Sequence, residues 1–411
     1  MNCICVGVET PESDWPINDS IDELKELAIT AELTPTHTMI QRLEKPNFLS
    51  YIGKGKCDEL KELISQTKCT LVIFDDELTP MQQRHLENHL QVKILDRTSL
   101  VLDIFAQRAQ TKEAQIQVEL AQLQYLQPRL RRMWTHLSRL GGGIGTRGPG
   151  ETQLEVDRRQ ISKRISKLKN DLTKVKASRQ IQRNQRSINP LPTIAIMGYT
   201  NAGKSTIHHC LTESNVTKEN KLFATLDPTT RQLKLDSGDS VLITDTVGFI
   251  RKLPHQLVDA FKSTLEEVRY ADIIFHVIDC SNPHWKDLMH TSYNVCRQIG
   301  IPIKNETIIF NKIDACVDPV ITKYECETFS NYFISATNSN AKSMLINILQ
   351  TKMNEFLKEM TFNIPFNKMD IYSTLRNHGR IIEESTSQIG IKIIVKINQT
   401  LGEKIMSQLH K

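Results

Sequence analysis

Lys204 and Ser205 close the run Gly198-Tyr199-Thr200-Asn201-Ala202-Gly203-Lys204-Ser205, and residue types at that spacing suit phosphate chemistry. The two glycines let backbone amides turn inward as an anion nest, while a helix starting near Lys204 adds its positive end. Lys204 would reach the β- and γ-phosphates of a bound nucleotide, and Ser205 would offer its hydroxyl to Mg²⁺. Downstream, Asp245-Thr246-Val247-Gly248 sets a carboxylate where it can hold the Mg²⁺ shell through water and a glycine amide that can meet the γ-phosphate. Asn311-Lys312-Ile313-Asp314 supplies an acid able to accept both N1–H and the exocyclic amine of guanine. Adenine lacks that donor pair, so Asp314 selects guanine. Ser335-Ala336-Thr337 could line the base with backbone amides. Four such elements in this order predict a GTPase.

Between the first two elements lies the stretch Leu222 to Arg231, where a switch that closes over Mg²⁺ and the γ-phosphate is expected. Its first half, Phe223-Ala224-Thr225-Leu226-Asp227, is read as nucleotide-contacting. Thr225, Thr229 and Thr230 compete as the Mg²⁺ ligand, and Thr225 is favoured. Lys204, Thr225 and Gly248 are thus the expected catalytic groups, with Ser205 and Thr225 as the protein's metal ligands. Phe249 follows Gly248, where many GTPases carry a glutamine that orients the attacking water. A phenyl ring cannot do that, so slow intrinsic hydrolysis and a stimulating partner are expected.

These groups need strands to carry them. The apolar runs Thr193–Met197, Ser240–Thr244, Asp272–Asp279 and Thr307–Phe310 read as strands, with His276 inside as a core histidine. Before them, Cys5–Val8 and Leu71–Phe74 read as strands, and Ile21–Ala31 and Pro80–Leu90 as helices. Thr79-Pro80-Met81-Gln82 forms a capping box for the latter helix. Asp75-Asp76 is then a strand-to-helix loop, and Gly53-Lys54-Gly55-Lys56 a tight turn with solvated lysines. At the far end, Ile391–Ile397 alternates as a strand and Gly402–Leu409 as a helix.

A chain of 411 residues exceeds one hydrophobic core. It shows no apolar run long enough to span a bilayer and no leader, so a cytoplasmic protein is expected. Its nine scattered cysteines predict neither disulfides nor a zinc site. The net charge of +5 is unevenly spread. Between Arg129 and Pro190 sixteen Lys and Arg face four acids, a local excess of +12 that leaves about −7 for the rest. Leu154, Ile161, Ile165, Leu168, Leu172 and Val175 repeat as a coiled-coil seam opposite Ile116, Leu120 and Leu123. The two helices should pack antiparallel around a glycine-rich tip spanning Leu140 to Glu151. Arg131, Arg132, Arg139, Trp134 and His136 flank that tip, and Arg147 lies within it. A basic rod with a nearly side-chain-free tip suits folded RNA or ribonucleoprotein better than duplex base reading.

The motifs Gly198-Tyr199-Thr200-Asn201-Ala202-Gly203-Lys204-Ser205-Thr206, Phe223-Ala224-Thr225-Leu226-Asp227-Pro228-Thr229 and Asp245-Thr246-Val247-Gly248-Phe249-Ile250 together resemble the HflX GTPases of the Obg–HflX group. The likeness extends to Tyr51–Lys56, Phe74–Leu78, the run from Leu95-Asp96-Arg97-Thr98 through Gly148–Thr152, and Asp157-Arg158-Arg159. Ile207-His208-His209 departs from the family's usual Leu-Phe-Asn, and the loop after Ser335-Ala336 lacks the usual glycines. The resemblance implies a ribosome-binding GTPase acting chiefly on the large subunit, with a role in splitting or rescuing stalled ribosomes, and Thr225 as the Mg²⁺ ligand. The expected organisation is α/β: an N-terminal α/β domain over 1–105, a basic helical hairpin over 106–188, a P-loop GTPase domain over 189–358 and a small C-terminal α/β domain over 359–411. A monomer is expected. The competing readings are an rRNA-maturation GTPase, an ATP-driven RNA remodeller using Gly53–Lys56, and a ribosome-silencing factor in which GTP only sets conformation.

Overall fold

The computed structural model describes all residues except 14, 134–148, 187–190, 213–221, 236–239, 253–264, 330–331 and 410–411. Trp134, His136, Arg139, Arg147 and most of the glycine-rich tip lie outside the described residues, as do the side chains of Arg131 and Arg132. The chain divides into two compact units. The first comprises Met1–Lys176 with Glu219–Asp227 and Arg251–Lys262, and the second Ala177–Lys218, Pro228–Ile250 and Ser263–Lys411.

The first unit opens with β1 (Asn2–Glu9), α1 (Ile17–Thr30), β2 (Thr34–Arg42), α2 (Lys54–Thr67), β3 (Leu71–Phe74), α3 (Pro80–Leu90), β4 (Lys93–Asp96) and α4 (Arg97–Arg108). The strands form an all-parallel sheet in the order β2-β1-β3-β4. Ile4, Val6, Val72, Phe74 and Ile94 bury its centre against Leu60 of α2 and Leu86 of α3. The capping box at Thr79 and Gln82 is formed as the spacing predicts. Gly53-Lys54-Gly55-Lys56 is not a tight turn: Gly53 is the N-cap of α2, because Cys57, Leu60 and Ile64 repeat at helical spacing and are buried.

Asp75, just past β3, does more than join two elements. Buried, it accepts from Arg97 Nη1 and Ser20 Oγ at 2.7 Å and from Lys252 Nζ at 2.5 Å, while Arg97 also pairs with Glu23. Lys252 Nζ reaches Asp76 as well, at 2.5 Å, and Tyr51 donates its hydroxyl to the same carboxylate. Burial alone would raise the Asp75 carboxyl; Arg97 and then Lys252 outweigh it and hold it below the ordinary carboxylate range.

Two long helices complete this unit, α5 (Lys112–Met133) and α6 (Pro149–Arg186), the latter running on past its boundary. Arg164 forks onto Glu119 at 2.6 and 2.7 Å and Gln127 donates to Ser162, which sets the helices antiparallel. Of the predicted seam on α6, Ile165 and Leu168 are buried. Arg158, Arg159, Lys163, Lys167, Lys169 and Lys174 are exposed.

The second unit holds β5 (Thr193–Gly198), α7 (Lys204–Thr212), β6 (Thr229–Lys234), β7 (Ser240–Asp245), α8 (Glu266–Tyr270), β8 (Ile273–Asp279), α9 (Trp285–Gln298), β9 (Glu306–Asn311), α10 (Pro319–Cys326) and α11 (Ala341–Phe356). Its sheet runs β6-β7-β5-β8-β9, parallel except for β6. This central sheet, flanked by helices, is the P-loop GTPase arrangement. Where a further strand is expected to end at Ile334, the described residues form only an isolated bridge between Phe310 and Phe333. A separate antiparallel sheet, β10 (Leu357–Pro365), β11 (Arg380–Thr386) and β12 (Gly390–Asn398) in the order β10-β12-β11, is backed by α12 (Met369–His378) and α13 (Gln399–Leu409). Phe362, Ile393, Val395 and Leu375 form its own core. No helix among the described residues is long and apolar enough to cross a membrane.

Candidate nucleotide site

The site is built where β5 ends. Gly198 and Gly203 take φ of 147° and 95°, conformations that side chains rarely adopt. A β-carbon on Gly198 would lie 2.2 Å from Val277 O, and one on Gly203 would lie 2.1 Å from Asn311 Nδ2. Both positions therefore require glycine, and the loop between them leads straight into α7. Lys204 opens that helix and is buried, its ammonium donating to Tyr199 O at 2.7 Å. Burial pulls its pKa down to about 8 against the pull of Asp245 in the other direction. A strongly desolvated cation inside a loop of backbone amides is poised to gain from an arriving phosphate.

Asp245 ends β7 next to β5 and accepts from Ser205 Oγ at 2.7 Å. Thr246 donates to Ile196 O at 2.7 Å and ties the segment to β5. Gly248 sits against the loop: a β-carbon there would lie 2.8 Å from Thr200 Cγ2 and 2.9 Å from Lys204 Nζ. Thr200 N donates to Phe249 O and Phe249 N to Gly198 O, at 2.8 and 3.1 Å, so the two loops are stitched together. Phe249 is buried, its ring committed to packing.

Asn311 acts as a clamp. Its Nδ2 donates to Ala202 O at 2.9 Å while its Oδ1 accepts from Ala336 N at 3.0 Å, joining the phosphate loop to the Ser335-Ala336-Thr337 loop. Ser335 and Thr337 hydroxyls lie 3.1 Å apart. Lys312 takes φ of 62° and pairs with Asp279 at 2.8 Å. Sequence reasoning missed Asp279; its signal is the acid closing the apolar run of β8. Ile313 and exposed Asp314 follow in a single 3-10 turn. Buried His276 meets Glu306 at 2.7 Å through Nδ1 and belongs to the core. His208 is buried with a ring nitrogen 3.3 Å from Ile243 O, and burial lowers its pKa.

The second unit thus gathers Gly198-Tyr199-Thr200-Asn201-Ala202-Gly203-Lys204-Ser205, Asp245–Gly248, Asn311 and Ala336. Phe223-Ala224-Thr225-Leu226-Asp227 belong to the first unit. There, Phe223 packs edge-on against Phe105 and Leu226 is buried. Asp227 accepts from Gln110 N, Thr111 N and Thr111 Oγ1 at 2.9, 2.9 and 2.5 Å, just before α5 begins. Asp227 thus holds Thr111, whose hydroxyl in turn accepts from Ala114 N in the first turn of α5. Thr229 and Thr230 lie in β6, and Thr230 shares a 2.8 Å hydrogen bond with Thr244.

Residues present suit Mg²⁺: a hydroxyl and a carboxylate 2.7 Å apart are the hard oxygen donors that cation takes. The buried Thr200 hydroxyl, with no hydrogen-bond partner among the described residues, lies in the loop that would face the phosphates.

Comparison with known proteins agrees with this geometry. Family models described as GTP-binding GTPase N-terminal, GTP-binding GTPase Middle Region and 50S ribosome-binding GTPase match residues 18–106, 108–186 and 193–312. The GTPase HflX of Lacrimispora saccharolytica is 46% identical over 388 residues, covering 94% of this chain and 91% of that one. GTPase HflX of Caldanaerobacter subterraneus is 44% identical over 97% of this chain and 91% of its own length. The Escherichia coli GTPase HflX is 40% identical over 84% and 82%. A crystal structure of SsGBP with GDP superimposes with a TM-score of 0.52 at 25% identity, covering 86% of this chain and 98% of that one. With the phosphate loop, the Asp245 strand and the Asn311 clamp assembled on one sheet, and relatives matched over nearly their whole length, the chain belongs to the HflX family of GTPases.

Proposed function

We propose that this GTPase binds the large ribosomal subunit through its basic helical hairpin and couples its nucleotide state to the splitting or rescue of ribosomes. The observation that carries the reading is the exposed cationic face of α6, from Arg158 to Lys174, on a rigid antiparallel pair. Such a surface gains affinity for phosphate-lined RNA by releasing counterions. The likeness of residues 193–312 to a 50S ribosome-binding GTPase points the same way.

In the reaction, Lys204 would lie along the β- and γ-phosphates and Gly248 N–H would meet the γ-phosphate. Asp314 would read guanine while Asn311 holds the surrounding loops in register. Ser205 and Thr225 would hold Mg²⁺, with Asp245 ordering its shell; that ion, when bound, neutralises charge developing between the β- and γ-phosphates. Thr225 is favoured over Thr229 and Thr230 because the latter two are held in β6. Phe249 leaves the attacking water without an orienting amide, so the partner would supply or order that group.

Two contacts support coupling. Asp227, two residues after Thr225, holds Gln110 and Thr111 just before α5 of the hairpin, and Lys252, four residues after Gly248, is held by Asp75 and Asp76. Both residues belong to the unit that carries the hairpin. Co-sedimentation with purified ribosomal subunits under GTP, GDP and a non-hydrolysable GTP analogue tests the proposal. Binding to the large subunit should be strongest with the analogue. Equal binding in all three states overturns the coupling, and no binding overturns the ribosome role.

A further inference from the structure

Cys280 and Cys316 bracket the guanine-reading segment. Cys280 directly follows Asp279 at the end of β8, and Cys316 directly follows the 3-10 turn that contains Asp314. Their sulfurs lie 3.7 Å apart. Each thiol also bonds to this same segment: Cys280 Sγ donates to Asn311 O at 3.0 Å and Cys316 Sγ to Lys312 O at 3.8 Å. Cys316 is partly exposed, whereas Cys280 is buried. One thiol can therefore meet a small oxidant from solvent while its neighbour waits within van der Waals reach.

We propose that Cys280 and Cys316 form a redox switch that closes to a disulfide under hydroperoxide and weakens guanine nucleotide binding. In the first step the Cys316 thiol attacks a peroxide oxygen, becoming a sulfenic acid and releasing one water. In the second, the Cys280 sulfur attacks the sulfenic sulfur, the S–S bond forms, and the hydroxide leaves with the Cys280 proton as a second water. Two thiols are oxidised and one peroxide is reduced to two waters. A disulfide holds its sulfurs at about 2.05 Å, so closure must draw the end of β8 and the turn together from 3.7 Å. It also removes both S–H donors from the Asn311 and Lys312 carbonyls.

Consequences follow along the chain. Asn311 is the clamp between Ala202 and Ala336, and Lys312 is fixed by Asp279, the neighbour of Cys280. Asp314 lies between Lys312 and Cys316, so a shift on either side misplaces the carboxylate from the base edge. Burial and the adjacent Cys316 raise the Cys280 thiol well above its ordinary range, so the second step accelerates with rising pH. Cys326, buried in the same apolar cluster with its thiol pushed up by burial to about 11, is the competing partner.

The inference rests on the guanine site as read above, and the two fail separately: reduced protein that does not bind GDP sinks the site, not the switch. The test treats full-length protein with hydrogen peroxide, blocks remaining thiols, and maps non-reduced peptides by mass spectrometry alongside GDP affinity. The expected result is a Cys280–Cys316 cross-link, a GDP affinity lower by about tenfold, equivalent to ~1.4 kcal/mol, and recovery with dithiothreitol. Cys316→Ser and Cys316→Ala proteins should bind GDP normally before and after peroxide. A cross-link to Cys326 instead, stable oxidation of Cys316 without a cross-link, a cross-link with unchanged affinity, or equal loss in the Cys316 variants would each overturn it.

Discussion

The proposed site rests on two residues, Asp314 to read the base and Lys204 to meet the phosphates. Charge-assisted hydrogen bonds contribute about 1.5–3 kcal/mol each, so Asp314→Asn should weaken GDP by one to two orders of magnitude. The same change should improve binding of xanthosine diphosphate, whose carbonyl accepts where guanine's amine donates; equilibrium titration with both nucleotides measures this. Lys204 gives a pH signature. Its free-site pKa of about 8 lies below the ordinary 10.5, and phosphates should raise it again. GDP affinity should then be flat below about pH 8 and decline above it, with proton uptake on binding near pH 9 in calorimetry across buffers of different ionisation enthalpy. In the unliganded protein the unfolded state holds more protons between those two pKa values, so this lysine makes stability rise with pH across that window. The site motifs were legible because phosphate and guanine recognition are local, set by spacing within a few residues. Lys252, Arg97 and Asp227 were not. Their partners lie 177, 22 and 116 residues away in sequence, and no local pattern announces such pairs.

At the scale of elements, the Asp75 cluster is the test of what holds the first unit. Removing one member of a buried ion pair leaves the other uncompensated, at about 3–5 kcal/mol. Asp75→Ala should therefore lower the unit's unfolding free energy by that order in urea titration, and a loss under ~1 kcal/mol would contradict the arrangement. Its depressed pKa means this contribution is present above the ordinary carboxylate pKa and is lost as pH falls through the folded-state value. Asp227→Ala separates two roles for that residue. Losing its hydrogen bonds to Gln110 and Thr111 should cost ~1 kcal/mol of stability in urea titration, and a GDP affinity lowered by more than about twofold in the same variant would mark the nucleotide contact. Buried strands such as Leu71–Phe74 and Ile273–Asp279 could be read from the chain because both faces are apolar. The edge strands Thr34–Arg42 and Arg380–Thr386 could not, since mostly exposed polar side chains erase the period that marks a strand. The helix after Gly53 was hidden for a different reason: two glycines and two lysines read as a turn, and burial of Cys57, Leu60 and Ile64 overrides them.

For the whole molecule, family membership and the nucleotide site define a GTPase, while the use of that activity rests on how its switches are tethered. Phe249 is buried directly after Gly248, and on the proposed reading hydrolysis waits for a partner to order the attacking water. Lys252→Ala should leave GDP affinity close to wild type while reducing any stimulation by a partner, because it removes the cation held between Asp75 and Asp76. The most direct measurement is single-turnover GTP hydrolysis by the purified protein, alone and with saturating large ribosomal subunits. The account predicts slow hydrolysis alone and an acceleration of at least about tenfold with subunits, an effect of ~1.4 kcal/mol on the barrier. Rapid turnover by the isolated protein, unchanged when subunits are added, would contradict it.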